Sequence, residues 1–270
     1  MKLVILDGYA LNPGDLNWAP LQALADCVIY DRTSEAEIVT RASDAEIILT
    51  NKAPLRASTL AQLPALKYVG VLASGYDVID TEAATLRNIS VTNVPEYSTR
   101  SVAQMVFALL LELTNHTDAH AEAVRKGEWS RCLDWCFRKA PVIELAGKTM
   151  GIVGYGRIGR QVAQIAHAMG MRVIATSGRT PAAIPAGVER RPLDGMLAEA
   201  DVVSLHCPLT PATRGMIDAS RIALMKSSAF LINTARGALI VEPDLAEALN
   251  SGRLAGAALD VLSAEPPAQS

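Results

Sequence analysis

The sequence predicts an α/β protein built from two doubly wound parallel-sheet domains. Three observations carry that prediction. Short apolar runs alternate with helix-compatible segments along all 270 residues, the pattern of parallel strands joined by crossover helices. The alternation occurs as two successive sets, separated near Pro95–Thr99. Finally, the apolar run Thr149–Val153 leads into Gly154-Tyr155-Gly156-Arg157-Ile158-Gly159 and then into a helical pattern from Arg160 to Met169.

In the first set, strands are predicted at Lys2–Asp7, Cys27–Tyr30, Glu46–Thr50, Tyr68–Leu72 and Ser90–Thr92. Helices are predicted at Asp15–Ala25, Ser34–Arg41, Ala57–Gln62 and Asp80–Arg87. Pro95 disfavours helix before it, and Ser98 or Thr99 can cap a helix beyond it. The helix from Thr99 to about Leu113 is apolar on most sides, so it should be buried. His116–Pro141 is more polar and carries Trp129 and Trp135. It reads as a helix plus an excursion that packs on a neighbour, for which a second subunit is the candidate. In the second set, strands are predicted at Thr149–Val153, Arg172–Ala175, Val202–His206, Ala229–Asn233 and Ala255–Leu259. The helices there are Arg157–Met169, Leu193–Ala198, Ala219–Met225 and Pro243–Ser251.

The glycine pattern gains meaning from its context of strand, turn and helix. Gly154 permits the tight turn, Gly156 lets the backbone approach a pyrophosphate, and Gly159 lets the helix pack closely on the strand. Backbone N–H groups at the helix start, with the helix dipole, then hold phosphates, which points to a dinucleotide. The next strand should end in an acid that accepts a ribose 2′-hydroxyl. Here it ends in Ser177-Gly178-Arg179-Thr180. The missing carboxylate removes repulsion against a 2′-phosphate. Arg179 supplies a charge-assisted bond to that phosphate, and Ser177 and Thr180 supply hydroxyls. NADP(H) is therefore favoured, with NAD(H) possible.

A net charge of −3 gives no electrostatic case for nucleic acid or an anionic membrane as partner. No apolar run approaches the ~18 residues that span a bilayer; the longest, Val102–Leu111, is broken by Gln104. Met1–Asp7 reads as a first strand rather than a signal peptide. Cys27, Cys132, Cys136 and Cys207 form no metal spacing with His116, His120, His167 and His206. Cys132 and Cys136 would face each other on a helix, though unpaired buried thiols are the preferred reading. A reducing cytoplasm fits.

Further motifs carry a resemblance. Val69–Asp77 follows a strand in the first set. Leu205-His206-Cys207-Pro208-Leu209-Thr210 and Ile232-Asn233-Thr234-Ala235-Arg236-Gly237 end strands in the second, and Ala257–Val261 and Glu265-Pro266 come later. With the glycine fingerprint, this set resembles the D-isomer-specific 2-hydroxyacid dehydrogenases, above all the glycerate dehydrogenase/hydroxypyruvate reductase branch, from residue 1 to 270. The resemblance implies a flavodoxin-like substrate domain over residues 1–98 and a Rossmann NAD(P)-binding domain over residues 99–270. It also implies a homodimer acting on a small 2-keto or 2-hydroxy acid such as hydroxypyruvate or glyoxylate.

Such chemistry moves hydride to a carbonyl carbon while negative charge grows on its oxygen. It needs a cation, a proton donor and donors for a carboxylate. By resemblance Arg236 is the cation, and Asn51 with the backbone around Ser74 and Gly75 holds the carboxylate. Glu265 orients an acid/base histidine and raises its pKa, and Asp260 contacts the nicotinamide carboxamide. His206, Cys207 and Pro208 line the cofactor groove, and Thr234 and Ala235 flank it. The resemblance places the acid/base histidine in a Pro-His motif beyond Glu265-Pro266, and none of the four histidines matches that motif. The expectation is a C-terminally incomplete second domain lacking its acid/base. Its alternative is a catalytically impaired dinucleotide-binding scaffold or sensor.

Overall fold

A computed structural model of the chain describes residues 1–178 and 187–267. The chain forms two compact units, Met1–Ser98 and Thr99–Ser270.

The first unit runs β1 (Lys2–Ile5), α1 (Gly8–Leu11), α2 (Ala19–Gln22), β2 (Asp26–Ile29), α3 (Ile38–Ala42), β3 (Ile47–Thr50), α4 (Ala57–Leu60), β4 (Tyr68–Val71), α5 (Thr81–Leu86) and β5 (Ser90–Asn93). All strands are parallel, in the order β2-β1-β3-β4-β5. That is the flavodoxin-like order, with its switch point between β1 and β3. Val4, Leu6, Ile48, Val69 and Val71 are buried against Ile38, Ala42, Leu60 and Ala84 of the covering helices.

The second unit runs α6 (Thr99–Asn115), α7 (Thr117–Arg125), β6 (Thr149–Val153), α8 (Arg157–Ala168), β7 (Arg172–Thr176), β8 (Val188–Arg190), α9 (Leu193–Glu199), β9 (Val202–Leu205), α10 (Ala219–Ile222), β10 (Phe230–Asn233), α11 (Glu242–Asn250) and β11 (Gly256–Leu259). The sheet order is β11-β10-β9-β6-β7-β8, the Rossmann arrangement, with its switch point between β6 and β9. Alternate strand residues face opposite layers. Met150, Ile152, Val173 and Ile232 pack with Ala103, Val106 and Leu110 of α6 and Val162 of α8. Val153, Ile174, Val203 and Leu231 pack with Met196 of α9, Ile222 of α10 and Leu245 of α11. Among the described residues no helix is long and apolar enough to cross a membrane.

Several local expectations need correction. Asp15–Ala25 is not one helix. The Asn12 side chain accepts the N–H groups of Gly14 and Leu16, and Asn17 accepts that of Ala19, so side-chain turns hold the backbone until α2. The segment after Ser34 opens as a 3₁₀ turn, where Ser34 and Glu37 form a capping box, before α3 begins. Helix α6 buries one stripe, Ala103, Val106, Phe107, Leu110 and Thr114, and leaves Met105 exposed, so it is not enclosed on most sides. Cys132 and Cys136 lie on no helix; the Cys132 thiol sits 3.6 Å from the Cys136 carbonyl, beyond a 3₁₀ turn at Trp129–Arg131. Cys136 is exposed and the other three cysteines are half-buried, so none is a fully buried thiol. Strand β8 and helix α1 were not predicted. Val-Glu-Arg is too short and too polar to show as a strand in sequence, and α1 is a single turn.

Candidate active site

The register of the second sheet sets the geometry. Val153 pairs with Thr176 and Leu205, Leu205 with Asn233, and Asn233 with Leu259. These five residues form one row across the sheet. The residue after each is Ser177, Gly154, His206, Thr234 or Asp260, all at the carboxyl edge where doubly wound sheets bind ligands. Parallel pairing thus brings together five predicted site residues spread over more than a hundred positions.

Around Gly154 the three strand ends are tied. Its N–H donates to the Thr176 carbonyl at 2.9 Å, and the His206 N–H donates to the Val153 carbonyl at 2.7 Å. Gly154 has φ +96°, and a Cβ there would stand 2.6 Å from the Cys207 nitrogen. A Cβ on Gly159 would stand 2.4 Å from the Gly154 oxygen and 3.1 Å from Ile152, so α8 packs on β6 through that glycine. Gly156 differs. It opens α8 with φ −86°, and a Cβ there would meet nothing within 4 Å. Neither packing nor backbone strain asks for glycine at that position, whereas a group seated against the helix start does. No side chain caps α8, and no acid stands in its first turn with Arg157 and Ile158, which suits an anion.

Ser177 is half-buried, and its carbonyl accepts Arg190 Nη2 at 3.1 Å. Arg179 and Thr180 lie outside the described residues. At the end of β9, His206 Nε2 lies 2.8 Å from Ser204 Oγ, and burial pulls the imidazole down to about 4, so the ring is neutral near pH 7. Burial pushes the Cys207 thiol up to about 11, and its Sγ lies 3.6 Å from Met216 Sδ. The exposed Pro208 gives its carbonyl to Thr213 Oγ1 at 2.7 Å. His206 Nδ1 and Thr234 Oγ1 are the only buried side-chain polar atoms without a partner among the described residues. Such orphans normally find a partner, and both sit at the edge where a dinucleotide would supply one.

Beyond β10 the Asn233 side chain folds the turn. Its Nδ2 donates to the Arg236 carbonyl at 2.9 Å and its Oδ1 accepts the Ala235 N–H at 3.0 Å. Arg236 is half-buried and donates from Nη1 to the Ala235 carbonyl at 2.7 Å. A Cβ on Gly237 would overlap the Leu262 carbonyl carbon at 1.9 Å, so the segment leading to Glu265 runs directly over the turn that carries Arg236. Glu265 Oε1 accepts the Leu262 N–H at 3.0 Å. Asp260 is exposed, and its own N–H donates to the Asn233 carbonyl at 2.9 Å.

In the first unit, Asn51 follows β3 at the switch point. The buried Asp7 carboxylate, at the end of β1, accepts the Asn51 N–H at 2.8 Å and the Ala53 N–H at 3.0 Å, as well as the Lys52 N–H. Because those three N–H groups turn toward Asp7, Asn51 is left its side-chain amide to offer a ligand. Ser74 and Gly75 lie in the turn after β4, where Asn93 Nδ2 donates to the Ser74 carbonyl at 2.8 Å. The sequence reading missed Asp7, Asn93, Asn233 and Arg190. For Asp7, Asn93 and Asn233 the one signal was an acid or amide at the end of a strand or run, and Arg190 carried none.

Comparison with known proteins agrees with this geometry. The family model described as "D-isomer specific 2-hydroxyacid dehydrogenase, NAD binding domain" matches residues 107–270. A hydroxypyruvate reductase of Blautia hydrogenotrophica is 48% identical over 270 aligned residues, covering 98% of this chain and 84% of that protein. An acyclic imino acid reductase solved with NADPH and D-Arg superposes with a TM-score of 0.86 at 30% identity, covering 99% of this chain and 85% of that one. A D-lactate dehydrogenase from Aquifex aeolicus, solved with NAD and lactic acid, superposes at 0.84 with 31% identity, covering 97% and 77%. The second unit is thus a nicotinamide-dinucleotide-binding domain, and the chain belongs to the D-isomer-specific 2-hydroxyacid dehydrogenase family of oxidoreductases.

Proposed function

We propose that this protein is an NADP(H)-preferring reductase of small 2-keto acids such as hydroxypyruvate or glyoxylate, working in the cytoplasm as a homodimer. The observation that supports it most is the common row in the second sheet, which sets Gly154, Ser177, His206, Thr234 and Asp260 along one edge. The nicotinamide, when bound, exchanges a hydride with the substrate carbon.

The chain's own residues then have defined tasks. Gly154, Gly156 and Gly159, with Arg157 and Ile158 at the start of α8, seat the pyrophosphate. Ser177, Arg179 and Thr180 hold the adenosine ribose and its 2′-phosphate. His206, Cys207 and Pro208 line the groove, Thr234 and Ala235 flank it, and Asp260 accepts from the carboxamide. A neutral His206 suits that lining because it puts no charge beside the dinucleotide. Arg236 binds the substrate carboxylate and polarises its carbonyl, since its planar fork can do both. Negative charge growing on that oxygen is then stabilised by a cation already in place. Glu265 is the carboxylate that would orient an acid/base imidazole. In the first unit, the substrate domain, the Asn51 amide and the backbone around Ser74 and Gly75 serve as donors to the substrate carboxylate.

The dimer contact is assigned to the excursion after α7. Trp129, Leu133 and Trp135 are all exposed there, although Trp129 Nε1 donates to the Trp135 carbonyl at 3.0 Å, which holds the two tryptophans in one loop. A cluster of exposed large apolar side chains marks an interaction surface.

The experiment is hydroxypyruvate- and glyoxylate-dependent oxidation of NADPH and NADH, with binding of both cofactors titrated in the same preparation. Binding with NADPH preferred is expected, and turnover is expected in a form that carries the acid/base histidine, which returns a proton to the carbonyl oxygen. Binding without turnover in that form, on any small 2-keto acid, would overturn the reductase reading and leave a dinucleotide-binding scaffold.

A further inference from the structure

The adenosine end of the groove holds a second cation that the sequence motif does not include. Strand β8 pairs with β7 in parallel, with Arg190 opposite Ala175. The Arg191 N–H donates to the Ala175 carbonyl at 3.0 Å, which fixes the backbone of β8 beside the end of β7. From that position the Arg190 side chain runs forward along the sheet and its Nη2 reaches the Ser177 carbonyl at 3.1 Å. Ser177 is the residue at which this fold recognises the ribose 2′ position. The guanidinium is therefore anchored by one hydrogen bond where a 2′-phosphate would arrive, and it is exposed to it.

The neighbouring charges make this more than a chance arginine. Glu189, Asp194 and Glu199, the acids closest in sequence, are committed elsewhere, Asp194 to Arg221 Nε at 3.1 Å. Glu189 accepts Arg172 Nη1 at 2.9 Å and Arg191 Nη2 at 2.6 Å, and Glu199 also faces Arg172 and Arg191. Strand alternation puts Arg190 on the opposite face from both of its neighbours, away from that network. The ion pairs of the described residues thus neutralise Arg172 and Arg191 and not Arg190. A guanidinium has five N–H donors in a rigid fork that matches phosphate oxygens, so one bond to Ser177 leaves it able to grip an anion.

We infer that Arg190 is a specificity-determining residue for the 2′-phosphate of NADP(H), acting from β8 as a cation separate from the loop after β7. The inference rests on the NADP(H) reading of the groove. It also makes the discrimination a property of the sheet: the strand pairing of β7 with β8 places the charge.

The test separates the two claims by using adenosine fragments that carry no nicotinamide. Binding of 2′,5′-ADP and of 5′-AMP to the whole chain is measured by calorimetry for the parent, Arg190→Gln and Arg190→Lys. The parent should prefer 2′,5′-ADP. Arg190→Gln should weaken 2′,5′-ADP by about three- to tenfold while changing 5′-AMP by less than about twofold, since an exposed charge contact is modest and 5′-AMP lacks the phosphate. Arg190→Lys should recover part of the loss, having the charge without the fork. Retained 5′-AMP binding shows that each variant is folded. A parent that prefers 2′,5′-ADP together with an Arg190→Gln variant of the same preference overturns the role of Arg190 alone. A parent that does not discriminate overturns the NADP(H) reading and this inference with it.

Discussion

The carbonyl oxygen of His206 stands 2.7 Å from the point where a Cβ on Gly154 would lie. The end of β9 therefore crosses directly over the first glycine of the fingerprint, and the two halves of the Rossmann sheet meet with no room for a methyl group.

The three fingerprint glycines should separate in their effects. Gly154→Ala and Gly159→Ala force a Cβ against backbone and should destabilise the chain by about 2–4 kcal/mol each, read from urea unfolding. Gly156→Ala meets open space, so its stability should stay within about 1 kcal/mol of the parent. Its affinity for NADPH should nevertheless fall at least about tenfold, because the methyl group occupies the approach of the pyrophosphate. Equal destabilisation by all three would mean that Gly156 is packed like the others.

In a form that carries the acid/base histidine, Arg236→Ala should lower kcat/KM for hydroxypyruvate by on the order of 10²–10³ while NADPH affinity changes less than about threefold. Parallel steady-state kinetics and nicotinamide fluorescence titration decide it. An equal loss of both quantities would place Arg236 on the cofactor instead of the substrate.

Asp7→Asn keeps the shape of the side chain but weakens a carboxylate that collects three backbone N–H groups of the loop carrying Asn51. Bonds to a buried charged acceptor are worth about 1.5–3 kcal/mol each when lost outright, so a destabilisation of about 1–3 kcal/mol is expected. KM for the keto acid should rise several-fold, with NADPH affinity unchanged. A variant with normal KM would mean that this loop does not hold the substrate.

His206 sets a pH dependence of stability. Folded, its imidazole takes a proton only at about 4, against 6.5 for the free side chain. The unfolded chain binds that proton first, so the contribution is fully present above about pH 6.5 and is lost as pH falls toward 4. Between pH 7 and pH 5 the parent should lose on the order of 2 kcal/mol that His206→Gln does not lose. Urea midpoints of both proteins at the two pH values check this, and parallel curves would show that the ring is solvated.

Legibility in the sequence followed the range of the interactions. The buried strands were readable because both faces are covered, so Thr149–Val153 and Val202–Leu205 appear as unbroken apolar or small-residue runs. The fingerprint was readable because its three glycines act within six residues. Arg236 and Glu265 were singled out by resemblance, and nothing local marks them. Asp7 was invisible because its partners lie 44 to 46 residues away. The same holds for Asn93, whose partner Ser74 is 19 residues back, and for Arg190, whose strand of three residues shows no alternating pattern. The false helix over Asp15–Ala25 failed for the opposite reason. Its apolar spacing suggested it, but Pro20 fits only the first turn of a helix, and two asparagine side chains in and beside that stretch take backbone N–H groups ahead of it.

The row through Thr176, Val153, Leu205, Asn233 and Leu259 works as a ruler. Each groove residue is placed by the length of its own strand measured from that line, at about 3.3 Å per residue. Inserting or deleting one residue within β6, β7, β9, β10 or β11 would move its functional side chain by that step and turn it to the other face of the sheet. The same change in the loops at the opposite, amino edge would leave the ruler untouched. Length variation tolerated by a working protein of this architecture should therefore collect at the amino edge, and a library of single-residue insertions would trace the catalytic edge by where activity is lost.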